Sequence, residues 1–377
     1  VNTQAKKWRY WMHGFGGDPA TTARALKEAG FDAVVSGPAE AVTAVGMEAW
    51  LCGGAFGLPS DAPDTMKALD VKGQRRIWFG SGCPNHPELR ERNAQSYRKM
   101  AQTPGITGIL VDGCRFASPA SGLDAYLTCF CDICRDKALR LGFSFDRMRR
   151  DVGILRDVVT ARNGRGARAT LWLQSPVGVA EWLTEHPGVL EWLRFRRTCI
   201  SEHFRTLSEV IHGAGLKMGI YIFTPSVSPF VGQSYVDLSE FMDLFAPMIY
   251  RNYPKRPGEA CLNWELTIIP EELGLAGTPA EAEAMSLVLS WTGLAAAVPD
   301  RTIERVRAAL PPEAVGHQTA LARALIGPER ELAPIIYVDD PAIRETVDLV
   351  RANGADGVNY FVYTENWAEL VRPAMSR

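Results

Sequence analysis

The sequence predicts an α/β fold, a single (β/α)8 TIM barrel spanning residues 1–377. Three observations predict it. Short apolar runs alternate with amphipathic helical patterns from end to end. No low-complexity linker interrupts them, as expected for a parallel sheet with helical crossovers. With two ambiguous pieces left aside, the runs number eight, the strand count of a closed barrel. An open doubly wound sheet is the competing arrangement.

The first strand runs from Arg9 to His13, and a helix from Thr21 to Ala29 ends at Gly30. Phe31 to Ser36 and Met47 to Cys52 are the second and third strands. Arg76 to Phe79 reads as an extra hairpin strand after strand three, and Pro87 to Gln102 as a helix. The fourth strand, Ile106 to Val111, opens the central stretch Gly105–Cys134 and stops abruptly at Asp112-Gly113. Helices are expected over Asp132–Leu141 and Asp146–Arg162. Asn163 to Gly166 is a turn, and Ala169 to Gln174 is ambiguous between strand and helix. Glu181 to Gly213 is a long helical pattern broken near Pro187-Gly188.

Lys217 to Phe223 and Leu244 to Tyr250 are strands five and six. Residues 251–334 form a long insertion between strands six and seven, with helical patterns around Pro279–Leu289 and Thr302–Leu310. An insertion on the carboxyl face of a barrel shapes the substrate site. Ile335 to Val338 is strand seven, and Pro341 to Asn353 is a helix capped by Gly354. Gly357 to Tyr363 is strand eight, followed by a short helix from Glu365 to Val371.

Bulk composition narrows the function. A chain of 377 residues, 46% hydrophobic, is long enough for one large core. The formal net charge of -2, with no block of Lys and Arg, argues against a nucleic-acid partner. The cluster Arg194, Arg196 and Arg197 reads as a solvated helix face. No apolar run approaches the roughly 18 residues of a membrane helix. The first residues do not read as a signal peptide, although the chain lacks an initiating Met and a removed leader stays compatible with it. Eight cysteines in a chain this long are no disulfide scaffold; three of them packed into six residues suggest metal binding or a reduced compartment, and a cytoplasmic location is expected.

In a barrel the chemistry collects where the strands end. Those ends offer His13, then Trp50 and Cys52, then Gly82 to His86 with Asn85, then Asp112 and Arg115. Next come Thr224, Gln233 and Tyr235, then Tyr250, Arg251, Asn252, Trp264 and Glu265. Asp339 and Asp340 follow strand seven, and Tyr363, Glu365, Asn366 and Trp367 follow strand eight. Carboxylates and aromatics dominate, whereas phosphate-binding glycines and histidine clusters are lacking.

Aromatic faces for sugar rings and paired carboxyls for acid and nucleophile or base suit a glycosidase. Asp112 is assigned as nucleophile or electrostatic stabiliser, with Glu265 or Asp339 as general acid/base. His13, Asn85, Arg115, Gln233, Tyr250, Arg251, Trp264, Tyr363 and Glu365 are assigned to the sugar. No cofactor is required for that chemistry.

Each assignment has a plainer counterpart. Asp112 could cap the Asp-Gly turn. Asp340, before Pro341, reads as a helix cap. Glu265 could be a surface carboxylate, Glu365 could serve the last helix dipole, His13 could be a core histidine and Tyr250 barrel packing. Two other functions remain in view: a barrel that binds a glycan or a partner chain without turnover, and a lyase or isomerase with a metal held by Asp112 and Asp339.

Cys129, Cys131 and Cys134 lie within six residues, close enough for three thiolates of a structural zinc. A fourth ligand could be Cys83 or Cys114; the plainer reading is buried, reduced cysteines. Gly164 to Ala169 fits a dinucleotide fingerprint in letters only, since no strand precedes it.

Several blocks resemble a group of hypothetical glycoside hydrolases with barrel catalytic domains: residues 82–88, Leu110 to Phe116, Cys129 to Cys134, Val231 to Tyr235, Ala246 to Arg251 and Gly354 to Phe361. The resemblance spans about residues 75–365 and implies a barrel fold and glycosidic-bond hydrolysis. The cysteine triplet is also similar to the zinc cluster of family 42 β-galactosidases. There the fourth cysteine lies well upstream, which implies Cys83. That family carries an Asn-Glu pair after strand four, where this chain has Asp112-Gly113, so its catalytic pair does not transfer.

Overall fold

The computed structural model describes residues 7–161, 175–254 and 261–375. The expected turn at 163–166 and the ambiguous piece at 169–174 lie outside them. Among the described residues, nine strands form one curled sheet, all paired in parallel: β1 Arg9–His13, β2 Ala33–Val35, β3 Glu48–Gly53, β6 Gly108–Val111, β7 Lys217–Ile222, β8 Leu244–Pro247, β9 Glu331–Leu332, β10 Ile335–Tyr337 and β11 Gly357–Phe361. β4 Ala68–Leu69 and β5 Arg75–Arg76 form a separate antiparallel hairpin after β3. The sheet order is β10-β11-β1-β2-β3-β6-β7-β8-β9.

The two ends of that order are consecutive in the chain. β9 pairs with β8 and β10 pairs with β11. The break between them is Ala333-Pro334, where proline removes a ladder donor. Pro334 O still accepts from Asn359 N at 2.9 Å, and a bridge joins Met248 to Ile335. One run of chain thus covers both sheet edges, which is why a single expected strand appears as two. The architecture is TIM-barrel-like.

Most expected elements fall within a few residues of their observed bounds. The long helical pattern starts earlier, as helix Pro176–Glu185, and continues after Pro187 as helix Gly188–Gly213. The break suits close packing: a Cβ on Gly188 would sit 2.4 Å from Arg147 O in the neighbouring helix Phe145–Thr160. Helix Pro312–Ile326 was not legible in the sequence. Its packed face includes Gly316, Gln318 and Thr319, which blur the apolar period.

The amino-terminal end of the sheet is closed by side chains. Trp11 and Trp50 meet edge to face at 5.2 Å inside it. Gly108 is required there, because its Cβ would lie 2.5 Å from the Trp50 ring. Below them Arg9 pairs with Glu48 and Glu331, each at 2.8 Å, and lies 4.7 Å over Trp11. That plug holds the strands together and leaves the carboxyl end for polar chemistry.

Candidate active site

β6 delivers Asp112 to the carboxyl end of the sheet as its last buried residue, Val111, gives way to a turn. Gly113, at φ 65°, takes the left-handed turn, and its N–H donates to Asp112 Oδ1 at 2.7 Å. The carboxyl is raised in pKa, first by burial, and the Gly113 N–H and Arg115 oppose that rise. Its charge raises the pKa of Cys52, Tyr97, Tyr221 and Tyr250, each already pushed up first by burial.

Arg115 is buried, lies 4.8 Å over the Phe223 ring and donates to Phe116 O at 3.1 Å. Both Glu265 and Asp112 act on its charge, Glu265 more strongly. The guanidinium is therefore electrostatically shared by two carboxylates from distant parts of the chain.

Glu265 ends the short helix Leu262–Glu265 in the insertion and is 5% exposed. Its Oε1 accepts from Ser118 Oγ at 2.7 Å and its Oε2 from Ala120 N at 2.8 Å. Burial pushes its pKa up to about 7, against those hydrogen bonds and Arg115. The surface-carboxylate reading of Glu265 does not hold. The residue fastens the insertion to the loop after β6.

His13, from β1, has Nδ1 at 2.8 Å from Tyr221 Oη, and Asn359 Nδ2 donates to the same hydroxyl at 3.3 Å. Burial lowers the His13 pKa to about 4, so the ring is neutral at pH 7. Tyr221 and Asn359 were missed by sequence reasoning. Each is a polar group within a buried apolar strand, and the period of two would have aimed them inward. Asn359 Oδ1 and Thr224 Oγ1 are buried with no hydrogen-bond partner among the described residues.

The other assigned residues divide between rim and framework. Tyr363 is half-buried and stacks on Phe15 at 6.2 Å. Tyr250 is buried against Tyr253 and Phe361 at 5.1 and 5.3 Å. Trp264 donates Nε1 to Tyr253 O at 3.0 Å under the Arg307 guanidinium. Glu365 is exposed ahead of helix Trp367–Met375. Asp339 is exposed after β10, and its carbonyl accepts from Asn252 Nδ2 at 3.0 Å.

Gln233 spans two loops, accepting from Phe223 N at 3.0 Å and donating to Cys114 O at 3.2 Å. Asn85 donates to Cys134 Sγ at 3.3 Å and accepts from Arg90, so it faces the cysteines.

Arg251 is 6% exposed. Its Nε and Nη2 bind Asp340, and Nη1 donates to Leu310 O at 2.7 Å. Asp340 also accepts from Ala342 N at 2.9 Å and Thr346 Oγ1 at 2.8 Å, the work of a cap before helix Ile343–Ala352. Arg251→Met strands a buried carboxylate and is expected to destabilise the fold by roughly 3–5 kcal/mol. Denaturant unfolding checks this; an unchanged midpoint with weakened glycan binding would assign Arg251 to the sugar instead.

A second constellation lies behind the loop. The ligand atoms of Cys83, Cys129, Cys131 and Cys134 all fall within 4.8 Å of one another, and all four residues are buried. Cys83 Sγ is 3.7 Å from Cys131 Sγ and 3.5 Å from Cys134 Sγ. A tetrahedral zinc with Zn–S bonds of about 2.3 Å requires sulfurs about 3.8 Å apart, so the donor set fits. Thiol hydrogen bonding, led by Cys129, pushes Cys131 down and Cys83 up, and burial pushes Cys134 up. Cys114 is not part of the group. Among the described residues this is the group that assembles three or more metal-ligand side chains, and Asp112 and Asp339 form none.

No protein-family model matches the chain, and no curated protein matches it. Solved structures share its fold. The glycoside hydrolase domain of PgaB (BpsB) from Bordetella bronchiseptica aligns at TM-score 0.56 and 14% identity, over 98% of this chain and 99% of that one. The catalytic domain of a β-amylase from Paenibacillus polymyxa aligns at TM-score 0.52 and 12% identity, covering 99% and 95%. Gan42B, a GH42 β-galactosidase, aligns at TM-score 0.52 and 12% identity over 95% of this chain and 51% of that chain.

Proposed function

We propose that the chain is a closed (β/α)8 barrel, with β9 and β10 counted as one strand, that hydrolyses a glycosidic bond. The observation that carries this reading is Arg115, buried and acted on by both Asp112 and Glu265. The reaction needs two carboxyls at one site, one to hold a proton and one to attack or stabilise. Glu265, pushed up to about 7, is the proton holder and general acid/base. Asp112 acts as the nucleophile or electrostatic stabiliser. His13, Tyr221, Asn359 and Thr224 offer polar groups for sugar hydroxyls, and Tyr363 and Phe15 offer an aromatic rim. The fold shared with three glycoside-hydrolase structures supports the reaction class and leaves the sugar open.

The test is the pH profile of Glu265→Gln. Wild-type turnover should fall as pH rises through about 7. The Gln variant should lose that limb along with most activity. Asp339, exposed after β10, is the second candidate for acid/base; loss of the limb in Asp339→Asn alone would transfer the role. Stability gives an independent readout. A folded-state pKa raised from 4.5 to about 7 contributes stability in full below 4.5 that is lost as pH rises to 7, roughly 3 kcal/mol in all. Glu265→Gln should therefore gain on wild type between pH 5 and pH 8 in denaturant unfolding.

The four cysteines are read as a structural zinc site that staples the loop after β3 to the loop after β6. Zinc supplies a cross-link there and takes no part in bond cleavage.

A further inference from the structure

Arg196 sits in the middle of helix Gly188–Gly213 and is completely buried. Sequence reasoning assigned it to a solvated face. The structure instead encloses its guanidinium between the rings of Trp192 at 4.2 Å, Phe116 at 4.9 Å and Tyr126 at 5.3 Å. It donates to Tyr126 O at 2.7 Å, Ala117 O at 3.4 Å and Phe230 O. Its Nε has no hydrogen-bond partner among the described residues. No carboxylate forms an ion pair with it among the described residues. An isolated buried cation is strongly disfavoured, and carbonyls and rings offset only part of that.

Burial lowers the Arg196 pKa to about 9; Tyr126, Cys129 and Cys134 would raise it when ionised, and Arg115 lowers it. Two of the three belong to the thiol cluster. The link is also physical. Trp192, one helical turn before Arg196, donates Nε1 to Thr128 O at 3.0 Å, and Thr128 precedes Cys129. Four neutral thiols offer a buried cation nothing. Four thiolates around one divalent cation carry a net charge of about −2.

We infer that Arg196 is the buried counter-charge of an anionic metal–tetrathiolate centre, held at it by Trp192 and the loop from Phe116 to Thr128. The inference rests on the zinc reading of the cysteine cluster and goes beyond it. It makes Arg196 a positioning residue for the metal site that touches neither the metal nor the substrate. Coupling between the two is reciprocal: the centre stabilises the charged arginine, and the arginine strengthens metal binding.

The test is zinc transfer from the zinc-loaded full chain to a chromogenic chelator, followed for wild type, Arg196→Gln and Arg196→Lys. The Gln variant removes the charge and should release zinc at least about tenfold faster, while Lys keeps the charge and should stay within about threefold of wild type. Equal release from Gln and wild type would overturn the inference. So would equally fast release from Gln and Lys, which would make the arginine a mere pin for carbonyls. Should the Gln variant not fold, the Lys variant decides alone: release tenfold faster than wild type contradicts a charge role. Wild-type chain that takes up no zinc would sink the zinc reading itself, an outcome separate from either.

Discussion

Asp112→Asn is expected to lower glycoside turnover by roughly a thousandfold or more while leaving the fold intact. The substitution removes a charge and little else. Asn keeps an oxygen where Asp112 Oδ1 accepts the Gly113 N–H, so the turn after β6 survives. It also relieves the burial that raises the Asp112 pKa, so no buried charge is left uncompensated on the acid side. Arg115 keeps its second carboxylate, Glu265. A capping role for Asp112 predicts the opposite pattern: a lower unfolding midpoint with turnover in proportion to the folded fraction. Activity and denaturant unfolding measured on one preparation separate the two.

Cys131→Ser is expected to abolish zinc binding and lower the thermal midpoint by roughly 10 °C or more, since a structural zinc site contributes folding energy directly. Cys131 starts helix Asp132–Arg140, and its sulfur lies 3.7 Å from that of Cys83, across 48 residues of chain. Loss of one ligand thus opens the staple between two loops at the carboxyl end of the sheet. Cys114→Ala is the matched control. Cys114 is buried yet outside the cluster, so the variant should keep its full zinc content. Zinc content by elemental analysis and a thermal melt with and without chelator check both. Equal zinc loss from both variants would return the choice of fourth ligand to Cys114.

Much of the fold was legible because alternation and punctuation carry it. The parallel strands and the excursion after β3 follow from apolar runs ended by Gly, Asp or Pro. What was hidden was tertiary. β9 is two residues long and separated from β10 by a proline, so its pairing with β8 depends on where the barrel ends meet. Helix Pro312–Ile326 is covered by its neighbours, and burial of Gln318 and Thr319 erases the pattern a half-exposed helix would show.

At the site, Asp112 and the cysteine triplet stood out by local context. Gln233 and Arg251 were chosen as polar residues in loops, yet their hydrogen bonds run to Phe223, Cys114, Leu310 and Asp340. Sequence cannot show whether a polar side chain's partners lie within the protein. Arg196 is the inverse case. A charged residue on a helix reads as solvated until the rings of Trp192, Phe116 and Tyr126 close over it.

Glycosidic-bond hydrolysis through Asp112 is tested by reducing-sugar release from a broad panel of aryl glycosides and natural oligosaccharides, wild type beside Asp112→Asn. Wild type should cleave at least one member, and the Asn variant should leave the same substrate intact. Equal cleavage by both, or tight binding of a glycan by wild type with no cleavage, would contradict it.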